Sequence, residues 1–213
     1  MKIKADSIED IRYQIAKGIS ESEHTDRGSK FIGYCVAVKN EDETKYILSE
    51  RRKLHYKATH NCWAYRVGTP ADVVERSSDD GEPSGSAGRP ILDQVKKTDI
   101  YNVIVIVTRW FGGTKLGRGG LVRAYGHSAA LALVEISTVK LRPLTVFIIS
   151  CGYEHLGLIE KLAAQFEGST GKRKFTDKVE LILTIPAFHA DKLKSCVIDQ
   201  GAGRIGIDIA VKS

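Results

Sequence analysis

The sequence predicts an α+β protein of two domains. Hydrophobic periods change cleanly from one segment to the next after residue 139, while the first 139 residues mix strand-like and helix-like segments less regularly. Pro143, close behind the longest predicted helix, suits a short linker. A chain of 213 residues is long enough for two such cores. We therefore predict domains at residues 1–139 and 140–213.

The first predicted domain contains three strands and three helices. The last of its strands, NVIVIVT, is rich in β-branched residues and has the pattern of a fully buried strand. In chain order the elements are a strand at residues 31–38 (FIGYCVAV), a helix at 42–55, a strand at 59–67, a helix that begins near Ala87, the buried strand at 102–108, and a long helix whose apolar stripe is Leu121, Tyr125, Ala129, Ala132 and Ile136.

The second predicted domain has the order βαββαβ, which is the ferredoxin-like arrangement. A strand at residues 145–151 precedes apolar residues at helical spacing from Leu156 to Phe166. A hairpin follows at 171–177 and 179–185 and ends at Pro186. The last two elements are a helix through Leu193 and Val197 and a strand in which Ile205, Ile207, Ile209 and Val211 alternate strictly.

Composition restricts the class of protein. No apolar run approaches the roughly 18 to 20 residues that span a bilayer, and the N-terminus MKIKADSIED has no apolar stretch behind its lysines, so we expect a cytoplasmic protein. The net charge of +6 is moderate, and nucleic-acid binding would have to come from local clusters of charge. Cys35, Cys62, Cys151 and Cys196 form no CxxC pair, and buried free thiols are favoured over metal ligands or disulfides.

A first loop, residues 78–92 (SDDGEPSGSAGRPIL), has the composition of an anion site. Its glycines permit conformations that a side chain would forbid, and the N-terminus of the helix near Ala87 is a natural place for an anion. Ser84 and Ser86 are candidate caps of that helix, and Arg89 adds a positive charge. A tight structural turn with a capped helix is the alternative interpretation.

The same loop carries Asp79, Asp80 and Glu82, which would repel a phosphate unless they face elsewhere or hold a divalent cation. His60 is a further candidate for such a support or cation site. It lies two residues from Cys62 on a predicted strand, but no third ligand is evident, and core packing is favoured there.

A second loop, between the buried strand and the long helix, gives the stronger signal. Five glycines occur in the nine residues GGTKLGRGG, and such a chain can turn successive N–H groups into one concavity. No acidic residue lies between Arg109 and Arg123. The residues predicted to hold a polyanion here are Arg109, Trp110, Gly112, Gly113, Lys115, Arg118, Gly119, Gly120 and Arg123.

Trp110 and Phe111 add an aromatic surface beside these charges, a combination that single-stranded nucleic acid exploits. If the strand continues through them, they point to opposite faces, so that one is core and the other lies near the groove. Neither loop ends in Gly-Lys-Ser/Thr or matches GxGxxG before a helix, so ATP and NAD are not indicated and no cofactor is expected.

A secondary basic patch is predicted on the hairpin of the second domain. It consists of Lys172, Arg173 and Lys174, which are candidate phosphate contacts. Exposed basic hairpins are common, and a solvated hairpin is the alternative.

Three long motifs together resemble the IMPACT family, in particular its bacterial YigZ-like members with a UPF0029 N-terminal domain. They are HNCWAY from His60, SDDGEPSGSAGRPIL from Ser78 and VTRWFGGTKLGRGGLVRAYG from Val107. The sequence SKFI at residues 29–32 is similar to the family's opening strand, and the resemblance extends over nearly the whole chain, although residues 1–28 match poorly.

The resemblance implies an N-terminal domain with the fold of ribosomal protein S5 domain 2 and a ferredoxin-like C-terminal domain, a tandem similar to the last two domains of elongation factor G. It also implies a role near translation. In eukaryotic relatives a further N-terminal domain binds a regulator of a translation-control kinase. No such domain precedes residue 30 here, so that partner is not expected.

The leading hypothesis is therefore a non-enzymatic protein that binds RNA or the ribosome and is linked to the regulation of translation. One alternative is an enzyme acting on a phosphorylated small molecule, with Mg²⁺ held by the acidic residues of the first loop. The other is a protein-interaction module whose groove docks an acidic, translation-related partner.

Overall fold

A computed structural model describes residues 12–210 of the chain. The chain is α+β, as predicted, and it divides into two compact units. Residues Tyr13–Leu141 form the first domain, and Arg12 with residues 142–210 makes up the described part of the second. Each domain has a buried apolar core. Among the described residues, no helix has the length and hydropathy that a membrane span requires.

The first domain has a large and a small sheet with three helices. Its elements in chain order are β1 (Tyr13–Lys17), β2 (Ile19–Asp26), β3 (Ser29–Ala37), α1 (Glu41–Leu54), β4 (His60–Thr69), β5 (Asp72–Ser78), α2 (Gly88–Thr98), β6 (Ile100–Tyr101), β7 (Val103–Trp110), α3 (Gly117–Glu135) and β8 (Ser137–Leu141).

The large sheet is antiparallel, with the order β2-β3-β7-β4-β5, and the small sheet has the order β6-β1-β8. Helices α2 and α3 pack on one face of the large sheet, and α1 packs on the other. Strand β7 is therefore buried on both faces, which explains its uninterrupted apolar sequence. This arrangement is compatible with the S5 domain 2-like fold that the resemblance implies.

The predicted helices and strands of the first domain are all observed. Five strands were not predicted, namely β1, β2, β5, β6 and β8. Strand β2 has the polar sequence ISESEHTD, and the edge strand β5 is only partly buried, so their hydrophobic patterns are weak. The boundary between the domains follows Leu141, whereas the sequence analysis placed it after Val139.

The second domain has the predicted ferredoxin-like order. Its elements are β9 (Leu144–Cys151), α4 (Leu156–Gln165), β10 (Ser169–Phe175), β11 (Val179–Pro186), α5 (Ala190–Gly201) and β12 (Gly206–Ile209). All strand pairs in its sheet are antiparallel, with the order β10-β11-β9-β12. The predicted last strand is observed as β12, while Val211 lies outside the described residues.

Candidate nucleic-acid interface

Two loops meet at one end of the large sheet. The acidic loop (residues 79–87) connects β5 to α2, and the glycine loop (residues 111–116) connects β7 to α3. The strand register explains why they meet: His60, at the start of β4, lies opposite Arg109 at the end of β7. Arg118 joins the two loops directly, because its Nη2 donates a hydrogen bond to the Ser84 carbonyl oxygen at 3.1 Å.

Asp79 occupies the N-terminus of α2. Its Oδ1 accepts hydrogen bonds from the backbone N–H groups of Ala87 and Gly88 at 2.9 and 2.8 Å, and its Oδ2 accepts one from Gly85 at 2.8 Å. Burial alone would raise the pKa of Asp79. The three amide hydrogen bonds and the positive charge of Arg118 outweigh that effect and hold the pKa below its usual value. The protein's own carboxylate thus takes the place that was predicted for a bound anion.

The predicted roles of Ser84, Ser86 and Arg89 in that loop are corrected accordingly. Neither serine side chain caps α2. The Ser86 hydroxyl is buried and donates to the Pro83 carbonyl oxygen at 2.6 Å, while Ser84 contributes its carbonyl oxygen to Arg118. Arg89 is exposed and pairs with Asp93 at 2.8 Å. The acidic loop is therefore a structural turn that Asp79 holds in place.

The other two carboxylates of the loop also have protein partners. Asp80 forms an ion pair with Arg52 at 2.5 Å, and its second oxygen accepts a hydrogen bond from the Asn61 N–H at 2.7 Å. Glu82 is directed into the domain and is 4% exposed. Within residues 12–210, no group of three or more His, Cys, Asp or Glu side chains is arranged to hold a metal ion. Each carboxylate that the magnesium-dependent alternative would use is thus engaged within the protein.

Glu82 is the centre of a buried polar network. Its Oε1 accepts hydrogen bonds from Arg109 Nη1 at 2.5 Å and from the Tyr125 hydroxyl at 2.7 Å. Burial raises the pKa of Tyr125, so this hydroxyl keeps its proton and donates. The Arg109 side chain is 6% exposed, and its Nη2 lies 3.3 Å from Ser29 Oγ. The prediction that Arg109 contacts a phosphate is therefore wrong, because its charge is buried and paired.

His60 and Cys62 bind the backbone of the acidic loop. His60 Nδ1 lies 2.8 Å from the Asp80 carbonyl oxygen, which can only accept, so Nδ1 carries the proton. Cys62 is fully buried and donates through Sγ to the Asp79 carbonyl oxygen at 2.9 Å. Burial raises the pKa of the Cys62 thiol, which agrees with the favoured interpretation of core packing rather than a thiolate or metal site.

The glycine loop is exposed and leads into an uncapped helix. Gly113 and Gly117 have φ of 88° and 70°, in the left-handed region that favours glycine. Helix α3 begins after Leu116 with no side-chain cap and no acidic residue in its first turn. Lys115, Arg118 and Arg123 are all exposed around this N-terminus. An uncapped helix N-terminus beside exposed cations is a kind of place at which proteins bind anions.

Two of the remaining glycines of the predicted site, Gly112 and Gly120, have structural roles, whereas Gly119 does not. A Cβ on Gly112 would collide with the backbone of Gly28 and Ser29, so the glycine permits the close approach of the loop to the β2–β3 turn. Gly120 is buried, and a Cβ there would lie 3.0 Å from the Leu116 side chain. Gly119 is exposed in the first turn of α3, where a Cβ would meet only the end of the Arg123 side chain, at 3.7 Å.

The two aromatic residues at the end of β7 differ in exposure. Trp110 is half-buried and packs edge-on against His55, with 5.2 Å between ring centroids. Phe111 is 47% exposed, and its N–H donates to Thr59 Oγ1 at 3.0 Å. One ring was predicted to lie in the core and the other near the loop, and the two rings do differ in this way. Trp110 was predicted for the site, but Phe111 is the exposed ring of the two.

The predicted patch on the second domain is exposed. Lys172, Arg173 and Lys174 lie on β10, and Arg173 pairs with Glu160 at 2.9 Å. The charge of Arg173 is therefore balanced within the same domain. Of the three residues of this patch, Lys172 and Lys174 form no ion pair with a described carboxylate.

Sequence reasoning missed several residues that organise this end of the sheet, namely Ser29, Arg52, Thr59 and the hydroxyl of Tyr125. For Tyr125 a signal was present, because a tyrosine within an aliphatic helix stripe needs a partner for its hydroxyl group. For the other three residues, no local pattern in the sequence indicates the long-range contact.

Comparisons with known proteins cover both domains. The model of the Impact N-terminal domain matches residues 27–133, and the model of a domain of unknown function, DUF1949, matches residues 149–204. The IMPACT family member YvyE of Bacillus subtilis is 37% identical over 79% of this chain and 77% of the relative. The IMPACT family member of Haemophilus influenzae is 32% identical over 92% of this chain and 96% of the relative. The IMPACT family member YigZ of Escherichia coli is 33% identical over 83% of this chain and 87% of the relative.

One solved structure is similar over both domains. It is a crystal structure of a hypothetical protein, 29% identical in sequence, and the match covers 95% of this chain and 98% of that chain with a TM-score of 0.65.

Proposed function

The chain belongs to the IMPACT family, and from that premise we propose that it binds RNA, free or within the ribosome, at the open N-terminus of α3 and takes part in the regulation of translation. The translational part rests on the family resemblance. The place of binding is argued from the geometry of the first domain.

The observation that carries the proposal is the uncapped start of α3 among exposed cations. The first N–H groups of a helix have no partner within the helix, and the helix dipole gives this end a partial positive charge. Phosphate groups satisfy both features. Because α3 has 19 residues and packs on the sheet, its N-terminus is held in a fixed position.

The carboxylates of the acidic loop are held by partners within the protein. Asp79 accepts three backbone hydrogen bonds, Asp80 pairs with Arg52, and Glu82 pairs with Arg109 inside the domain. Around the start of α3, three exposed cations form no ion pair within the described part of the chain. These cations are Lys115, Arg118 and Arg123.

The proposal is tested by binding measurements on purified protein at low salt, with ribosome co-sedimentation and with fluorescently labelled RNA. The decisive variant replaces Lys115, Arg118 and Arg123 by Gln together. A matched control replaces Lys17, Lys97 and Lys140 by Gln, which removes the same charge from exposed positions elsewhere in the first domain. We expect the first variant to lose at least tenfold in affinity and the control to bind nearly as the parent does.

Two results would contradict the proposal. Parent protein that binds neither ribosomes nor RNA at low salt would exclude RNA as the ligand. Equal losses in the two variants would show that binding depends on overall charge and not on the N-terminus of α3.

A further inference from the structure

The segment after α1 is hydrogen-bonded to the end of β7. This α1 turn (residues 55–59) is closed by a hydrogen bond from the Ala58 N–H to the His55 carbonyl oxygen at 2.9 Å. Thr59 binds both β7 and the glycine loop: its N–H donates to the Arg109 carbonyl oxygen at 2.7 Å, and its Oγ1 accepts from the Phe111 N–H at 3.0 Å. The α1 turn and the glycine loop therefore lie side by side at the same corner of the first domain.

Each of these two segments presents an exposed aromatic ring. Tyr56 is 75% exposed and Phe111 is 47% exposed, so neither ring contributes a full face to the core. The half-buried Trp110 packs against His55 and connects the two segments through their neighbouring residues. Tyr56 is three residues from Thr59, which limits the separation of their Cα atoms to about 11 Å. The segments that carry the two rings are therefore joined by hydrogen bonds through Thr59, and both rings are exposed.

Each of the two segments also carries a lysine. Lys57 Nζ lies 5.5 Å from the centre of the Tyr56 ring, and Lys115 follows Phe111 in the glycine loop. In the described part of the chain neither lysine forms an ion pair with a carboxylate. Arg52 is also close in sequence to the turn, but its charge is paired with Asp80. The Arg109 guanidinium carbon lies 5.7 Å from the centre of the Phe111 ring, and that residue is still 47% exposed. Exposed aromatic rings on segments that also carry lysines match the needs of a nucleic-acid strand with unpaired bases.

We infer that the RNA bound at α3 is single-stranded, with one base stacked on Phe111, another on Tyr56, and the backbone running from the N-terminus of α3 toward Lys57. The inference rests on the proposed function and specifies its ligand. Stacking needs base faces that are free, and in an A-form duplex those faces are covered by neighbouring base pairs. Duplex RNA would meet the same cations but could not use the rings.

The test measures fluorescence anisotropy with a labelled single strand of about 12 nucleotides and with a hairpin duplex of similar length. The variants are Tyr56→Leu and Phe111→Leu, each at an exposed position where the fold is expected to tolerate the change. Tyr46→Leu is the matched control, because Tyr46 is 65% exposed and lies near the start of α1. Thermal unfolding of each variant confirms that the fold is intact.

We expect each of the two stacking variants to lose about 5- to 150-fold in affinity for the single strand, the range found for a lost base stack. Their salt dependence should equal that of the parent, since no charge is removed. The duplex should bind more weakly than the single strand, and its affinity should not change in these variants. Tyr46→Leu should bind as the parent does.

The inference is overturned if the single strand and the duplex bind equally well, or if both stacking variants retain parental affinity. In that case a loss of binding in the Lys115, Arg118 and Arg123 variant would still uphold the proposed function without stacking. If the parent binds no RNA of either kind but captures an acidic protein, both the inference and the proposed function are wrong.

Discussion

Glu82 and Arg109 form an ion pair inside the first domain, with 2.5 Å between Oε1 and Nη1 and side-chain exposures of 4% and 6%. The pair connects the acidic loop to the last residues of β7, and Tyr125 adds α3 to the same carboxylate. Three segments that are far apart in the sequence thus share one buried charge. This network holds the end of β7, from which the glycine loop starts, against α3 and the acidic loop.

Removal of one partner of this pair should destabilise the first domain strongly, because the other charge stays buried without compensation. We expect Glu82→Leu and Arg109→Met each to lower the free energy of unfolding by about 3–5 kcal/mol. The double variant should lose less than the sum of the two. Tryptophan fluorescence during urea unfolding measures this domain alone, since both tryptophans, Trp63 and Trp110, belong to it. Single variants as stable as the parent would refute the structural role of the pair.

Asp79 should make the stability of the first domain sensitive to acid. Its folded pKa is lowered, so the carboxylate contributes stability that is complete above the usual aspartate pKa of about 3.9 and is lost as the pH falls through the lower folded value. Asp79→Asn should be less stable at neutral pH, and the difference from the parent should shrink below about pH 4. Urea unfolding at pH 7 and pH 3, with Asp72→Asn as an exposed control, measures this. A difference that stays constant with pH would contradict the capping role.

The glycines around the glycine loop should respond differently to alanine. Gly112→Ala should destabilise most, because its Cβ would collide with the backbone of Gly28 and Ser29. Gly113→Ala should cost about 1–2 kcal/mol through its positive φ alone, since no atom lies within 4 Å of the added carbon. Gly119→Ala, on α3, should be neutral or stabilise by up to about 1 kcal/mol. Thermal unfolding of the three variants gives the order, and equal effects would contradict these separate roles.

Periodicity was sufficient for most of the fold. Strand β7 is a continuous run of mostly β-branched apolar residues, and α4 and α5 carry apolar residues at helical spacing, so the types of these elements followed from the sequence. Strands β2 and β8 escaped prediction because one or both faces are exposed and the residues are mostly polar. These strands form because they pair with other strands, and a local sequence pattern does not predict such pairing.

The candidate site was predicted less well, for a physical reason. An exposed arginine and a buried one look alike in sequence, and only the position of Glu82 shows that Arg109 is paired inside the domain. The same holds for Asp79, whose carboxylate takes the α2 amides that were assigned to a ligand. Lys115, Arg118 and Arg123 are exposed, and their role as phosphate contacts stays a prediction.

The most direct test of polyanion binding at the N-terminus of α3 is the slope of log affinity against log salt for a labelled single-stranded RNA. Each phosphate contact on a single strand contributes about −0.7 to that slope. If Lys115, Arg118 and Arg123 each contact one phosphate, replacing all three by Gln should make the slope less steep by about 2, while the Lys17, Lys97 and Lys140 control should leave it unchanged. A slope in the first variant equal to that of the parent would place the ligand elsewhere and contradict the proposal.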